Sequence, residues 1–130
     1  DWVWSTSCNS FIKSTIPGHE AACVAAVSAR VARDKGKYDE MAAWLFGNQG
    51  VTPDAVRAQA SRLLGLDPAE FDREAAAKMP AVKQDIADGA ALEVHATPTY
   101  FINGIRLPTQ SMLAPEYFQL ALDLEIKRAG

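Results

Sequence analysis

The 130-residue chain lacks most of the sequence patterns that indicate a particular chemistry. It has two cysteines and no C-x-x-C pair, and no apolar run approaches the roughly 18 residues that span a membrane. Thirteen Lys and Arg against 16 Asp and Glu give a net charge of −3, without a basic stripe for nucleic acid. No Ser-His-Asp order, Gly-rich phosphate loop or carboxylate pair stands out. We therefore expect no nucleic-acid partner and no cofactor.

The length of the chain and its first residue lead to two expectations, about the number of domains and about processing. The chain is long enough for one domain with a single core. It begins at Asp1 without a methionine and shows no signal peptide, so we interpret it as a mature, trimmed or excised piece of a protein.

The most specific pattern is the run HATPTYFING, from His95 to Gly104. Thr99 to Ile102 is aromatic and β-branched, which favours a strand, and Asn103-Gly104 is typical of a type I′ turn. A second strand is expected from Ile105 to Leu107, ended by Pro108. The run predicts a hairpin, with Pro98 at its start, where an X-Pro bond can be held cis.

Helical periodicity occupies most of the remaining chain. Proline after an N-cap residue marks the starts at Thr52-Pro53 and Asp67-Pro68, and Pro80 predicts a break. The last helix should bury a stripe made by Tyr117, Leu120, Ala121 and Leu124. The predicted elements are a strand at 1–5 and helices at 19–33, 38–46, 53–64, 68–78, 81–91 and 115–128.

Several motifs in a fixed order resemble the DsbA-like branch of the thioredoxin superfamily. The run TPTYFING resembles its cis-proline loop and following strand. The stretch HEAACVAAVSARVARDKGKYDEMAAWLFGNQ resembles the helical region after its second strand, and LGLD followed by Phe71 resembles the next element. These motifs run over most of the chain.

The resemblance implies an α/β fold, thioredoxin-like (DsbA-like), with a small mixed sheet. It implies a single domain over 1–130 with a helical insertion at about 37–92, lacking the N-terminal βα unit that carries C-x-x-C in the family. It also implies thiol-disulfide oxidoreductase activity in the periplasm or another extracytoplasmic space. The loop of Thr97, Pro98 and Thr99 would bind substrate, aligned as an added strand.

Cys8 and Cys23 allow three interpretations. Their C-N-x₉-H-x₃-C order resembles the auxiliary pair of DsbA-like domains allied with vitamin K epoxide reductase homologues, which implies a structural disulfide. Alternatively they are a catalytic or resolving pair, with His19 on the same helix face favouring a thiolate. The third interpretation is two buried, unpaired thiols.

The two histidines are secondary candidates. His95, three residues before Pro98, could tune the redox poise of a thiol facing the loop. Cys8, His19, Cys23 and His95 contain zinc-ligand types, but they lack the close spacings of zinc sites, so we expect no metal.

Two functions follow from the sequence. The first is a truncated thiol-disulfide oxidoreductase domain that acts on protein thiols or disulfides, with a quinone-linked membrane partner of the vitamin K epoxide reductase type as a further partner. The alternative is a catalytically silent thioredoxin-like module that binds peptides or forms a homodimer through its incomplete sheet. The absence of C-x-x-C leaves enzymatic activity open.

Overall fold

The computed structural model describes residues 2–108 and 114–130. They form a mixed α/β structure dominated by helices, in two compact units, Asp1–Glu93 and Val94–Gly130. The expectation of one domain over 1–130 stays a prediction. The elements, in chain order, are α1 (Ala22–Asp34), α2 (Tyr38–Gly47), α3 (Pro53–Leu64), α4 (Pro68–Ala91), β1 (Phe101–Ile102), β2 (Ile105–Arg106) and α5 (Pro115–Ala129).

The helix starts at α3 and α4 follow the predicted capping chemistry. The Thr52 side chain accepts a hydrogen bond from the Ala55 N–H at 3.2 Å, and the Asp67 carboxylate accepts one from the Glu70 N–H at 2.8 Å. Each bond satisfies an N–H that the helix itself leaves unpaired. The predicted range 53–64 for α3 is confirmed.

The predicted break at Pro80 is wrong, because α4 continues through it to Ala91. The apolar residues of α4 stay on one side of the helix across the proline, while Pro80 itself is exposed. Burial along this stripe offsets the hydrogen bond that a proline cannot donate. The stripe consists of Phe71, Ala75, Met79, Val82 and Ile86.

The predicted strand at 1–5 is also wrong for the described residues, which form a loop from 2 to 5. A strand needs a ladder partner, and here the backbone carbonyls find other donors. The Trp4 carbonyl accepts from the Ile16 N–H at 3.1 Å, and the Val3 carbonyl accepts from the Asn9 side-chain amide at 2.7 Å. The chain therefore folds back on itself before α1.

The first unit has a buried core between α1 and its neighbours. One cluster joins Val3 and both cysteines to Val27, Val82 and Ile86. A second cluster is formed by Ala21, Ala32, Met41, Val56, Ala60 and Phe71. Helix α1 contributes to both clusters, so it is the central element of this unit.

The second unit contains the predicted hairpin. Strands β1 and β2 are antiparallel, with Phe101 opposite Arg106 and Ile102 opposite Ile105. Asn103 and Gly104 have φ values of 49° and 77°, as a type I′ turn requires. Among the described residues the sheet has these two antiparallel strands only, so the expected mixed sheet is not found there.

Helix α5 departs from its predicted burial. Tyr117, Leu120 and Leu124 are 51%, 67% and 49% exposed, so the predicted buried stripe is wrong; Ala121 is half-buried. The helix itself is confirmed, with Pro115 at its start and Lys127 and Arg128 in its last turn. Its apolar periodicity is real, but the described residues do not cover it.

Candidate functional site

The two cysteines of the chain form one disulfide in the first unit. Cys8 and Cys23 have an S–S distance of 2.11 Å and a Cα–Cα distance of 6.0 Å, across 15 positions of sequence. The bond ties the loop after the N-terminal segment to the first turn of α1. Because both cysteines are paired, the chain as it stands offers no thiol for nucleophilic attack.

The disulfide lies against the first core cluster. Cys8 is 8% exposed and Cys23 is 4% exposed, and both pack with Val3, Val27 and Ile86. The sulfur of Cys23 lies 3.8 Å from the Ser5 carbonyl oxygen. A disulfide in such surroundings cross-links the folded unit and restricts its unfolded chain.

Polar groups of the N-terminal loop hold Cys8 in place. The Asn9 side chain is fully buried; its amide donates to the Val3 carbonyl at 2.7 Å, and its carbonyl accepts from the Phe11 N–H at 2.9 Å. These two bonds fix the loop on both sides of Cys8. Sequence reasoning missed this role, although the Asn beside a cysteine in a Ser- and Thr-rich run was the available signal.

Of the two histidines, His95 lies in the loop before Pro98 as expected, whereas His19 does not lie on a helix face. Helix α1 begins at Ala22, so His19 lies in the preceding turn and not on the helix face of Cys23. Its side chain is exposed, with Nδ1 3.3 Å from the Pro17 carbonyl oxygen. His95 is exposed in the loop before Pro98. Among the residues that the structure describes, no three His, Cys, Asp or Glu side chains are grouped to hold a metal ion.

The second candidate site is the loop of Thr97, Pro98 and Thr99 in the second unit. The Thr97–Pro98 peptide bond is cis, and both residues are exposed. The Thr99 hydroxyl donates to the Ala96 carbonyl at 2.5 Å, which closes the loop just before the hairpin. The backbone around Pro98 is thereby presented at the surface, at the start of β1.

Apolar and aromatic side chains accompany this loop within the second unit. Tyr100 stacks edge-on against Phe118 of α5, with ring centroids 5.2 Å apart. The Leu107 N–H donates to the Tyr100 carbonyl at 2.9 Å, which extends the hairpin beyond its two paired positions. Phe101 and Ile105 remain exposed. The loop thus leads into a hairpin with accessible apolar side chains, a surface suited to an extended peptide.

The disulfide belongs to the first unit, and the proline loop belongs to the second. The residues proposed for substrate, Thr97 to Thr99, are brought together by their own loop. His19 and Cys23 are not brought together on one helix face. No helix within the described ranges is both long and apolar enough to cross a membrane.

Comparison with known proteins gives a partial similarity. No protein-family model matches the chain, and no solved structure matches it. Over 92 residues, or 68% of the chain, it is 33% identical to a protein of Mycolicibacterium vanbaalenii named Na(+)/H(+) antiporter NhaA 1. Proteins of the same name from Mycobacterium sp. strains KMS and JLS are 29% identical over 92 residues. The matched stretch spans only 15% of the length of each antiporter.

Proposed function

We propose that this chain is part of a DsbA-like, thioredoxin-fold thiol-disulfide oxidoreductase domain, and that Thr97, Pro98 and Thr99 form its substrate-binding loop. The observation that carries the proposal is the exposed loop that leads directly into a type I′ hairpin. An extended substrate chain can lie along such a loop through backbone hydrogen bonds. The ordered motifs, which run over α1 and α2, LGLD with Phe71, and the proline loop, support the same family.

The attacking thiolate would come from a C-x-x-C pair outside these 130 residues, since both cysteines of the chain are paired. In that reaction the thiolate attacks a substrate disulfide, or a substrate thiolate attacks the C-x-x-C disulfide, through a mixed disulfide. Protein thiols or disulfides are the proposed substrates. A quinone-linked membrane partner would reoxidise the pair.

An extracytoplasmic location, such as the periplasm, belongs to the same proposal. It is supported by the Cys8–Cys23 disulfide, because such bonds persist in oxidising compartments.

The second candidate is a silent thioredoxin-like module that binds extended peptides or pairs with a second copy. A specific observation favours it: the relatives are named for ion exchange and not for thiol chemistry. The exposed side chains of Leu120, Leu124 and Ile105 offer the apolar surface that such binding needs.

One experiment separates the two functions. The protein, with every residue encoded upstream of Asp1, is incubated with a dithiol peptide, and peptide oxidation is compared with that by a small-molecule disulfide. An oxidoreductase exceeds this control. Thr97→Arg, which adds bulk and charge to the loop, should lower the rate about tenfold or more by displacing the substrate.

The matched control is Ala58→Arg, which adds the same charge at an exposed position of α3 in the first unit. It should leave the rate unchanged. Oxidation no faster than the small-molecule control would refute the enzyme. If oxidation fails, but the protein binds the peptide and Thr97→Arg abolishes that binding, the silent module is supported. If Thr97→Arg leaves the binding intact, the loop is refuted as the peptide site.

A further inference from the structure

A cavity of about 370 Å³ opens beside the disulfide in the first unit. It is lined by Thr6, Ser7, Cys8, Ser10, Phe11 and Lys83, together with two apolar residues of α4. We propose that this cavity admits a small anionic thiol, which attacks the Sγ atom of Cys8 and forms a mixed disulfide there. This reaction belongs to the first unit and does not depend on the proline loop.

The two sulfur atoms differ in their access. Cys8 lines the cavity, whereas Cys23 does not and is the more deeply buried of the two. The sulfur of Cys23 lies against the Ser5 carbonyl, in the core cluster with Val27. Thiol-disulfide exchange depends on which sulfur the attacking thiolate can approach. The cavity therefore favours attack at Cys8 over attack at Cys23.

Cys23 is placed to act as the leaving group. It is the second residue of α1, a helix of 13 residues whose N-terminus has no side-chain cap and no acidic residue in its first turn. The positive end of the helix dipole favours negative charge on a sulfur at this position. A departing sulfur whose negative charge is stabilised in this way leaves faster.

The bonds and electrons balance without an external oxidant. The incoming thiolate forms an S–S bond to the sulfur of Cys8, and the Cys8–Cys23 bond breaks. The electron pair of the broken bond remains on the sulfur of Cys23. Cys23 then takes a proton from solvent, and the resulting thiol can donate to the Ser5 carbonyl, which lies 3.8 Å from its sulfur. The reverse attack of the Cys23 thiolate on Cys8 releases the small thiol.

The polar lining gives this cavity its preference for an anion. Lys83, on α4, adds a positive charge, and Thr6, Ser7 and Ser10 add hydroxyls to the lining, of which those of Thr6 and Ser7 also hydrogen-bond Thr15 and Ser5. The aromatic ring of Phe11, which is largely exposed, supplies an apolar wall. The expected ligand is thus a compact thiol that also carries an acidic group.

The test exposes the oxidised protein to three thiols at equal thiolate concentration: mercaptoethanesulfonate, 2-mercaptoethanol and cysteamine. The reaction is quenched with acid, free thiols are alkylated, and the masses of the tryptic peptides are measured by mass spectrometry. Cleavage after Lys13 and Arg30 places Cys8 and Cys23 on different peptides. We expect the adduct on Cys8, the alkyl group on Cys23, and a rate for the sulfonate about fivefold above that for the cationic thiol.

Lys83→Gln should remove most of this charge preference, whereas Lys127→Gln, the same change on α5, should keep it. Circular dichroism confirms that each variant is folded. Adducts shared evenly between Cys8 and Cys23, or formed only after the chain is unfolded, would overturn the proposal. So would a charge preference that Lys83→Gln leaves intact. Because none of these measurements uses a peptide substrate, they can fail or succeed independently of the oxidoreductase assay.

Discussion

The two units of the molecule hold their apolar residues differently. In Asp1–Glu93, Phe71, Met41 and Ile86 are almost fully buried, and a disulfide joins the N-terminal loop to the central helix. In Val94–Gly130, α5 has no fully buried residue, and several large apolar side chains are exposed. One region is therefore stabilised by its own buried core, whereas the described residues of the other leave much of its apolar surface exposed.

The largest effect should come from the core of the first unit. Phe71→Ala leaves a cavity under α4 and should lower the free energy of unfolding by about 3–5 kcal/mol. Phe46→Ala, the same change at an exposed site on α2, should alter it by less than about 0.5 kcal/mol. Urea denaturation measures both. Equal losses would show that burial does not distinguish the two positions.

The disulfide should stabilise the same unit. Replacing both cysteines, Cys8→Ser with Cys23→Ser, should cost about 3 kcal/mol, as expected for a closed loop of this length. Hydrogen exchange should report the loss in the first unit and leave the amides of β1 and β2 unchanged. The reduced wild-type protein is the matched control, and a double variant as stable as the oxidised protein would refute a structural role.

A smaller loss should follow from removing one helix cap. Asp67→Ala leaves the Glu70 N–H without its acceptor and should cost about 1 kcal/mol. Asp67→Asn, which can still accept this hydrogen bond, should cost much less. Thermal unfolding followed by circular dichroism separates the two variants, and an equal loss in both would assign the effect to charge.

The exposed face of α5 should tolerate polar residues. Leu120→Gln, at the most exposed leucine of α5, should change the free energy of unfolding by less than about 0.5 kcal/mol. A loss above 2 kcal/mol would mean that this face is covered in solution. Sedimentation of the wild-type protein at high concentration then decides the matter: a dimeric mass identifies a second copy as the cover, and a monomeric mass refutes the homodimer.

The smallest effect concerns a surface ion pair of the first unit. The ammonium of Lys37 donates to the Glu40 carboxylate at 2.9 Å and lowers the pKa of that carboxyl. Lys37→Gln should raise the Glu40 pKa toward its ordinary value, as measured by ¹³C NMR titration. Because the folded pKa is lowered, the pair stabilises the protein above the ordinary pKa of Glu and is lost on acidification. An unchanged pKa would contradict the contact.

Some elements could be predicted because their signals are local. Thr52-Pro53 and Asp67-Pro68 carry a cap and a proline within two positions, and both helices begin there. Asn103-Gly104 likewise determines its own turn. These residues act on neighbours a few positions away, so the structure around them follows from the sequence order.

Other elements depended on partners far along the chain. Pro80 cannot donate a backbone hydrogen bond, so the local sequence predicts a break in the helix. The helix continues, because Val82 and Ile86 are buried against α1 and Val3. The segment 2–5 alternates like a strand, yet its carbonyls are satisfied by Ile16 and Asn9. The stripe on α5 indicates burial, and nothing in the amino-acid order shows whether a neighbour is present.

The caps, the turn, the periodicity of each helix and the resemblance that motivates the proposed thiol chemistry can all be read from the amino-acid order. The pairing of Cys8 with Cys23, the cavity lined by Cys8 beside them, and the exposure of the apolar face of α5 among the described residues depend on the tertiary structure. The two groups differ in the sequence distance over which the interactions act. Backbone dihedrals and capping bonds act within a turn, whereas burial and disulfide pairing depend on which distant segments meet.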